Sequence, residues 1–262
     1  MIFLLSVVLI AAGLWTSVYT HFEGDVIRAE GQSFSGFPNE YVPETMFTAS
    51  PRALPQIGMT ILNVRPQETG RDLSLAGVLV NVLFGGRTSE RVLERTLDSS
   101  RPLFSDWTFV SVTDFGYAVD YALLNPSERE LESQTLSLGT YPPGAEDVFE
   151  AVFMGYQFHV SVFPDYVEQD GKPGTRSLEL NNPVYRVRIV RNKDIVYEGV
   201  MPPGLKLRFD NTVLTFREPS RWVRFRFVRD LGIPVAASGA LCLLLGVAFL
   251  GLGAVRARAG KP

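Results

Sequence analysis

The sequence predicts a mainly β protein, with an antiparallel β-sandwich or jelly-roll-like domain held between two transmembrane α-helices. All 28 acidic residues lie between Glu23 and Asp230, and residues 1–20 and 231–255 carry no charged side chain. Between these apolar ends, hydrophobic residues recur with period two, the spacing of a half-buried strand. The predicted organisation is a first membrane helix (1–21), a β-rich domain (22–230), a second membrane helix (231–255) and a basic tail (256–262).

The first helix is predicted from the uncharged run that ends at Thr20. At 1.5 Å per residue such a helix spans about 28 Å, close to the hydrocarbon thickness of a bilayer. A cleaved signal peptide is the alternative, but it usually carries a basic region before a shorter apolar stretch. Trp15 and Tyr19 near the exit side favour a helix that is retained as an anchor.

The second helix is predicted over 231–255, a length that spans a bilayer with some tilt. Pro234 falls in its first turn, where a missing amide hydrogen costs little. Ser238, Cys242 and Gly246 recur every four residues. Small residues at this spacing allow close approach of another membrane helix, and the first helix of the same chain is the simplest partner.

Two spans place both termini on one side of the membrane and the β-rich domain on the other. Basic residues near a span favour the cytoplasmic side. Basic residues flank both ends of the second span: Arg256, Arg258 and Lys261 follow it, and Arg217, Arg221, Arg224, Arg226 and Arg229 precede it. Charge alone therefore leaves the orientation open.

Alternation between the spans predicts the strands of the domain. The segment 149–163 reads as one half-buried strand, 183–201 as a hairpin turning at 191–194, and 205–230 as a hairpin about Asp210-Asn211 followed by a strand that enters the second span. Further strands are predicted at 57–65, 75–86 and 107–124. The segment 88–97 is compatible with either a helix or a strand.

Composition excludes several classes of protein. The net charge of −3 gives no basic surface for nucleic acid. The single cysteine, Cys242, excludes a disulfide framework and a cysteine-based zinc site. The sequence lacks a phosphate-binding loop, a nucleophile elbow and a zinc-binding His pair. No residue pattern indicates catalysis or a metal centre, so we expect a protein that is not an enzyme.

Both ends of the chain resemble the ResB family, membrane proteins of the system II route of cytochrome c biogenesis. The segment LLSVVLIAAGLWTSVYTHFEGDVIRAEGQSF is similar to the family's third helix and its glycine-rich, acidic lead-in to a large domain. The segment RFRFVRDLGIPVAASGALCLLLGVAFLGL resembles the family's entry into its last helix, with Arg229-Asp230 and Gly232-Ile233-Pro234 before an apolar run. The strand-rich middle is similar in its alternation.

The resemblance implies a function and a location. ResB-type proteins work with a CcsA/ResC-type multi-helix partner to move haem outward and present it to an apocytochrome c for covalent attachment. The implied location is the cell (inner) membrane, with both termini cytoplasmic and the domain extracytoplasmic. Haem contact would be transient, and no cofactor is expected to stay bound.

The resemblance also directs attention to particular residues. His21, at the outer end of the first helix, is a candidate iron ligand, or else an interfacial residue beside Tyr19. The arginines before the second span (Arg221, Arg224, Arg226 and Arg229) are candidates for contacts with haem propionates, anionic lipid or the partner, or else form a solvated strand face. His159, on the more polar side of a strand, is expected to be exposed.

A second hypothesis belongs to another class. The resemblance begins at the family's third helix, and the histidine that the family carries at the cytoplasmic entry of that helix has no counterpart near Met1. On this second hypothesis the chain is a membrane-anchored structural or scaffolding subunit that binds another extracytoplasmic protein and has no haem role.

Overall fold

The computed structural model describes residues 2–50, 53–69, 74–86, 92–98, 100–139, 144–151, 155–169 and 171–259. Within these ranges the chain forms two long helices, one at each end, and strands between them. The helices are α1 (Ile2–Thr20) and α2 (Gly232–Ala259). The strands are, in chain order, β1 (Phe22–Ala29), β2 (Ser33–Phe34), β3 (Phe47–Thr48), β4 (Ile57–Thr69), β5 (Ser74–Gly86), β6 (Leu93–Asp98), β7 (Leu103–Ser105), β8 (Thr108–Leu124), β9 (Glu130–Gly139), β10 (Asp147–Ala151), β11 (Tyr156–Phe163), β12 (Tyr166–Gln169), β13 (Lys172–Thr175), β14 (Val184–Arg191), β15 (Asp194–Met201), β16 (Lys206–Phe209), β17 (Thr212–Phe216) and β18 (Ser220–Arg229).

The named strands pair antiparallel, and the largest sheet is central. Its order is β16-β17-β8-β18-β1-β3, with β7 and β9 also paired to β8. A second sheet has the order β2-β4-β5-β6, a third has the order β10-β11-β14-β15, and β12 pairs with β13. The first and last strands of the domain, β1 and β18, are neighbours in the central sheet. The two helices therefore leave the domain side by side.

Two hydrophobic clusters divide the domain along the central sheet. The cluster nearer the helices combines residues of β1, β18 and the start of β8 with the β2-β4-β5-β6 sheet. The farther cluster combines the rest of β8 and β17 with the β10-β11-β14-β15 sheet. A bulge opposite Arg224 and Phe225 lets β8 serve both. It shifts the inward set from Val110 and Val112 to Tyr117 and the alternate residues after it, because one extra residue reverses the alternation.

The helices pack against each other in opposite directions. A Cβ placed on Gly13 would lie 2.4 Å from the Ala236 amide nitrogen, and one on Gly239 would lie 2.8 Å from the Ile10 amide nitrogen. Glycine is thus needed for the close approach of the two backbones. Both helices are long and apolar enough to cross a membrane, and only 11% of each apolar window is buried. They are therefore not the core helices of a soluble domain.

The coarse prediction is confirmed: the chain is mainly β, with antiparallel sheets and an apolar helix at each end. The hairpin turns at Asn192-Lys193 and Asp210 are also confirmed, and all three residues have positive φ. The predicted single strand over 149–163 is wrong, because this segment contains two strands, β10 and β11, that pair antiparallel. Gly155, with φ of +67°, directly precedes β11. In the segment 88–97, residues 93–97 belong to β6 and residues 88–91 lie outside the described residues. Helix α2 continues past the predicted boundary at 255.

Candidate functional site at the helix–domain junction

The junction is the end of the central sheet from which both helices depart. Its last row of cross-strand neighbours contains Ser105, Thr108, Arg229, Phe22 and Thr48. Only His21 separates α1 from β1, and only Asp230 and Leu231 separate β18 from α2. The two segments that carry the family resemblance therefore meet at this point.

Asp230 is the centre of the junction. Its Oδ1 accepts hydrogen bonds from the Gly232 and Ile233 amides at 2.8 and 3.3 Å, which is the N-cap arrangement for α2. The same oxygen accepts a hydrogen bond from Ser17 Oγ on α1 at 2.8 Å. Its Oδ2 lies 3.2 Å from His21 Nδ1. One carboxylate thus caps the second helix and ties it to the first.

The environment of Asp230 keeps it ionised. Burial raises the pKa of its carboxyl group, but the hydrogen bonds from Ser17, the Gly232 amide, His21 and the Ile233 amide together lower the pKa by more than burial raises it. The net result is a pKa below the ordinary value of an aspartate. The positive end of the α2 dipole also stabilises a charged carboxylate at this position.

One ring nitrogen of His21 contacts Asp230, and the other has no hydrogen-bond partner among the described residues. Its Nδ1 faces Asp230, and its side chain is 32% exposed. Among the described residues no hydrogen bond reaches its Nε2. The ring lies 5.6 Å from that of Phe47, which is itself exposed. A histidine whose Nδ1–H is fixed by a carboxylate presents the Nε2 lone pair outward, the usual arrangement of a metal-ligating histidine.

The predicted arginine group is not brought together. Arg221 and Arg229 lie at opposite ends of β18, about 26 Å apart at 3.3 Å per residue. Only Arg229 is at the junction, where its Nη1 donates to the Leu54 carbonyl at 3.0 Å and to the Ala53 carbonyl at 3.4 Å. It anchors the segment before β4 against the last strand.

The other three arginines differ in burial and partners. Arg226 is half-exposed and donates from Nε to the buried Asp25 at 3.0 Å. Arg224 is partly buried, and its Nε has no hydrogen-bond partner among the described residues. Arg221 is buried and donates to the Val64 and Leu178 carbonyls and to Glu179 at 3.0, 3.2 and 2.7 Å. It joins the two halves of the domain, so its position favours a structural role.

His159 and Cys242 show no sign of a metal site. His159 Nδ1 lies 2.7 Å from Glu146, which also accepts from Arg188 at 2.7 Å. Its side chain is largely buried at 17% exposure, so the expectation of an exposed histidine is wrong. The described residues contain no group of three or more His, Cys, Asp or Glu side chains that could hold a metal ion.

Sequence reasoning missed two features of the junction. It did not identify Asp230 as the shared partner of both helices, although an aspartate just before an apolar helix is a typical N-cap signal. It also gave no role to the exposed aromatic residues Phe47, Phe104, Trp107 and Phe109. They belong to two segments, β3 and the β7–β8 hairpin, which β1 and β18 bring to the same end of the sheet.

No protein-family model matches the chain, and no curated protein matches it significantly.

Proposed function

We propose that this chain is a ResB-like membrane subunit that assists haem delivery and covalent haem attachment in c-type cytochrome maturation. It acts with a CcsA/ResC-type multi-helix partner and is not itself an enzyme. In this proposal the β-rich domain is an extracytoplasmic antiparallel β-sandwich, and both termini are cytoplasmic at the cell (inner) membrane.

The observation that carries the proposal is the His21–Asp230 pair. His21 and Asp230 belong to the two segments that resemble the family and are 209 positions apart, and their contact places a carboxylate-oriented imidazole between the end of α1 and the start of α2. Such an imidazole suits a haem iron, because the outer partner fixes the ring and raises the basicity of the free nitrogen. His21 is the residue of this chain that would hold a haem iron, through its Nε2, while Asp230 would orient the ring.

The antiparallel helix pair supports the proposed topology. Because α1 enters the domain where α2 leaves it, both termini lie on one side of any membrane that the helices cross. The basic residues after α2 then favour the cytoplasm for that side.

The test uses a strain in which the gene is deleted and then restored with variants. His21→Asn keeps a donor amide near the position of Nδ1, so the contact with Asp230 is retained while the iron-ligating nitrogen is lost. We expect haem-stained c-type cytochrome to fall by about tenfold or more, the effect typical of a lost metal ligand or its orienting partner. His159→Asn is the matched control and should leave the output unchanged.

The proposal fails if the deletion strain keeps normal c-type cytochrome and no multi-helix partner co-purifies with the chain. Retained output with His21→Asn alone would remove the ligand role and leave an assembly role for the domain. The visible spectrum of the purified complex provides the independent measurement, since loss of one axial ligand shifts the haem bands.

A scaffolding subunit without a haem role is the second candidate. It is favoured by the internal contacts of Arg221, Arg226 and Arg229, which occupy guanidinium groups that would otherwise bind propionates. It predicts normal haem staining in the deletion strain together with loss of a different membrane assembly.

A further inference from the structure

A row of exposed aromatic side chains lies on the helix side of the domain: Phe104 contacts Trp107 and Phe109, and Phe47 lies three strands away from Phe109, across β18 and β1. We call it the aromatic rim, and it consists of Phe47, Phe104, Trp107 and Phe109. Phe104, Trp107 and Phe109 are each 52% exposed, and Phe47 is 60% exposed. The Phe104 ring lies 4.7 Å from that of Phe109 and 6.1 Å from that of Trp107. Large apolar side chains clustered in the open usually mark an interaction surface.

Strand register fixes the height of the aromatic rim relative to the helices. Phe104, Phe109, Val228, Glu23 and Phe47 are successive cross-strand neighbours, so they share one face of the central sheet. This row lies one residue farther from the helices than the last row of the sheet. The aromatic rim is therefore level with the helix–domain junction.

Trp107 extends further toward the helices. It sits with Asp106 in the two-residue turn between β7 and β8, beyond the last row of the sheet. Phe104, Trp107, Phe109 and Val228 line a groove of about 160 Å³ together with Ile233 and Pro234 of the first turn of α2, and Asp230 lies at its polar end. The turn thus reaches the level at which α2 begins.

The backbone of this turn is strained. Asp106 and Trp107 have φ of +48° and +57°, the left-handed region that two-residue hairpins of this type require. Asparagine and glycine adopt it readily, whereas a tryptophan there is an outlier. Strain at an exposed position is expected where the side chain serves a function other than stability. A bulky aromatic residue thus occupies an exposed turn that lies beyond the last row of the sheet.

We propose that the aromatic rim inserts into the lipid–water interface and seats the β-rich domain on the bilayer. This inference rests on the membrane placement of the proposed function. Lipid is the occupant because the groove is continuous with the first turn of the membrane-crossing α2, and because tryptophan and phenylalanine favour the headgroup boundary. The exposed Asp106 stays among the headgroups and limits insertion to interfacial depth.

The three tryptophans of the chain provide the experiment. Trp15 lies within α1, Trp107 lies at the aromatic rim, and Trp222 is buried about 23 Å along β18 from the junction. The full chain is reconstituted in phosphatidylcholine liposomes whose acyl chains carry bromine either near the headgroup or near the chain end. Bromine quenches tryptophan only at short range. The contribution of each tryptophan is the emission lost in its Trp→Phe variant.

We expect bromine near the headgroup to remove roughly half or more of the Trp107 emission, given an interfacial depth of about 5–10 Å, and bromine at the chain end to remove less. Trp222 should be unaffected. If Trp107→Phe disturbs folding, Phe104→Trp placed in that variant reports on the same surface.

Two other results overturn the inference. Quenched Trp15 with unquenched Trp107 means that the helices are in the bilayer but the aromatic rim stands clear of it, which leaves the proposed function intact. Unquenched Trp107 whose emission shifts to the blue only when a multi-helix partner is co-reconstituted assigns the surface to protein instead of lipid. A third result, unquenched Trp15, removes the membrane placement itself, and the rim proposal with it.

Discussion

Replacing Asp230 by alanine tests whether one carboxylate holds the two helices and the domain together. The change removes the N-cap of α2, which is worth about 1 kcal/mol. It also removes the hydrogen bond from Ser17 to a charged group, about 2 kcal/mol at a buried site. The contact with the partly exposed His21 adds less than about 1 kcal/mol. We therefore expect the free energy of unfolding to fall by about 3 kcal/mol.

The assay is the melting temperature of the full chain in detergent, followed by far-ultraviolet circular dichroism of the strands. For a chain of this size 3 kcal/mol corresponds to a decrease of roughly 6–12 °C. Asp230→Asn is the matched variant, because asparagine caps helices well and keeps an acceptor for Ser17, so it should lose only about 1 kcal/mol. Asp194→Ala, on an exposed hairpin, should change stability by less than about 0.5 kcal/mol. If Asp230→Ala has the same melting temperature as the wild type, Asp230 does not hold the two helices and the domain together.

The remaining predictions concern pH, a strained turn and the buried arginine. Because the pKa of Asp230 is lowered in the folded state, the carboxylate contributes fully to the free energy of unfolding above its unfolded pKa. This contribution is lost as the pH falls below about 4, so in Asp230→Asn the melting temperature should decrease less at acid pH than in the wild type. Replacing Asp106-Trp107 by Asn-Gly should relieve turn strain and raise the free energy of unfolding by about 1–2 kcal/mol in detergent; lower stability would show that the turn is not strained. Arg221→Met keeps the length of the side chain but loses its hydrogen bonds, and should lower the denaturant midpoint by the equivalent of about 2–3 kcal/mol; an unchanged midpoint would mean that the two halves of the domain hold together without it.

Local pattern was sufficient for the parts of the fold that local physics determines. The apolar ends predicted α1 and α2 because helix length and hydropathy are read directly from consecutive residues. The turns at Asn192-Lys193 and Asp210 were found because asparagine and aspartate tolerate positive φ. The alternation of Tyr156 and Phe158 predicted an inward face, which the structure shows as buried.

The rest depends on contacts between distant segments, which no short window contains. Arg221 looked like one of a row of interfacial arginines, but its partners come from β4 and from the loop at 178–179. His159 looked exposed beside polar neighbours, but Glu146 and Arg188 cover it. The pairing order of the central sheet, which puts β1 beside β18, likewise cannot be derived from alternation alone.

The absence of any hinge between helices and sheet has a mechanical consequence. With one residue joining α1 to β1 and two joining β18 to α2, the domain and the helix pair tilt as one rod. Strand β8 has 17 residues and extends about 56 Å, so a change of about 5° in helix tilt swings the far end of the domain sideways by about 5 Å. Helix tilt follows bilayer thickness. In the membrane placement proposed above, the far end of the domain would thus move sideways whenever the bilayer thins or thickens.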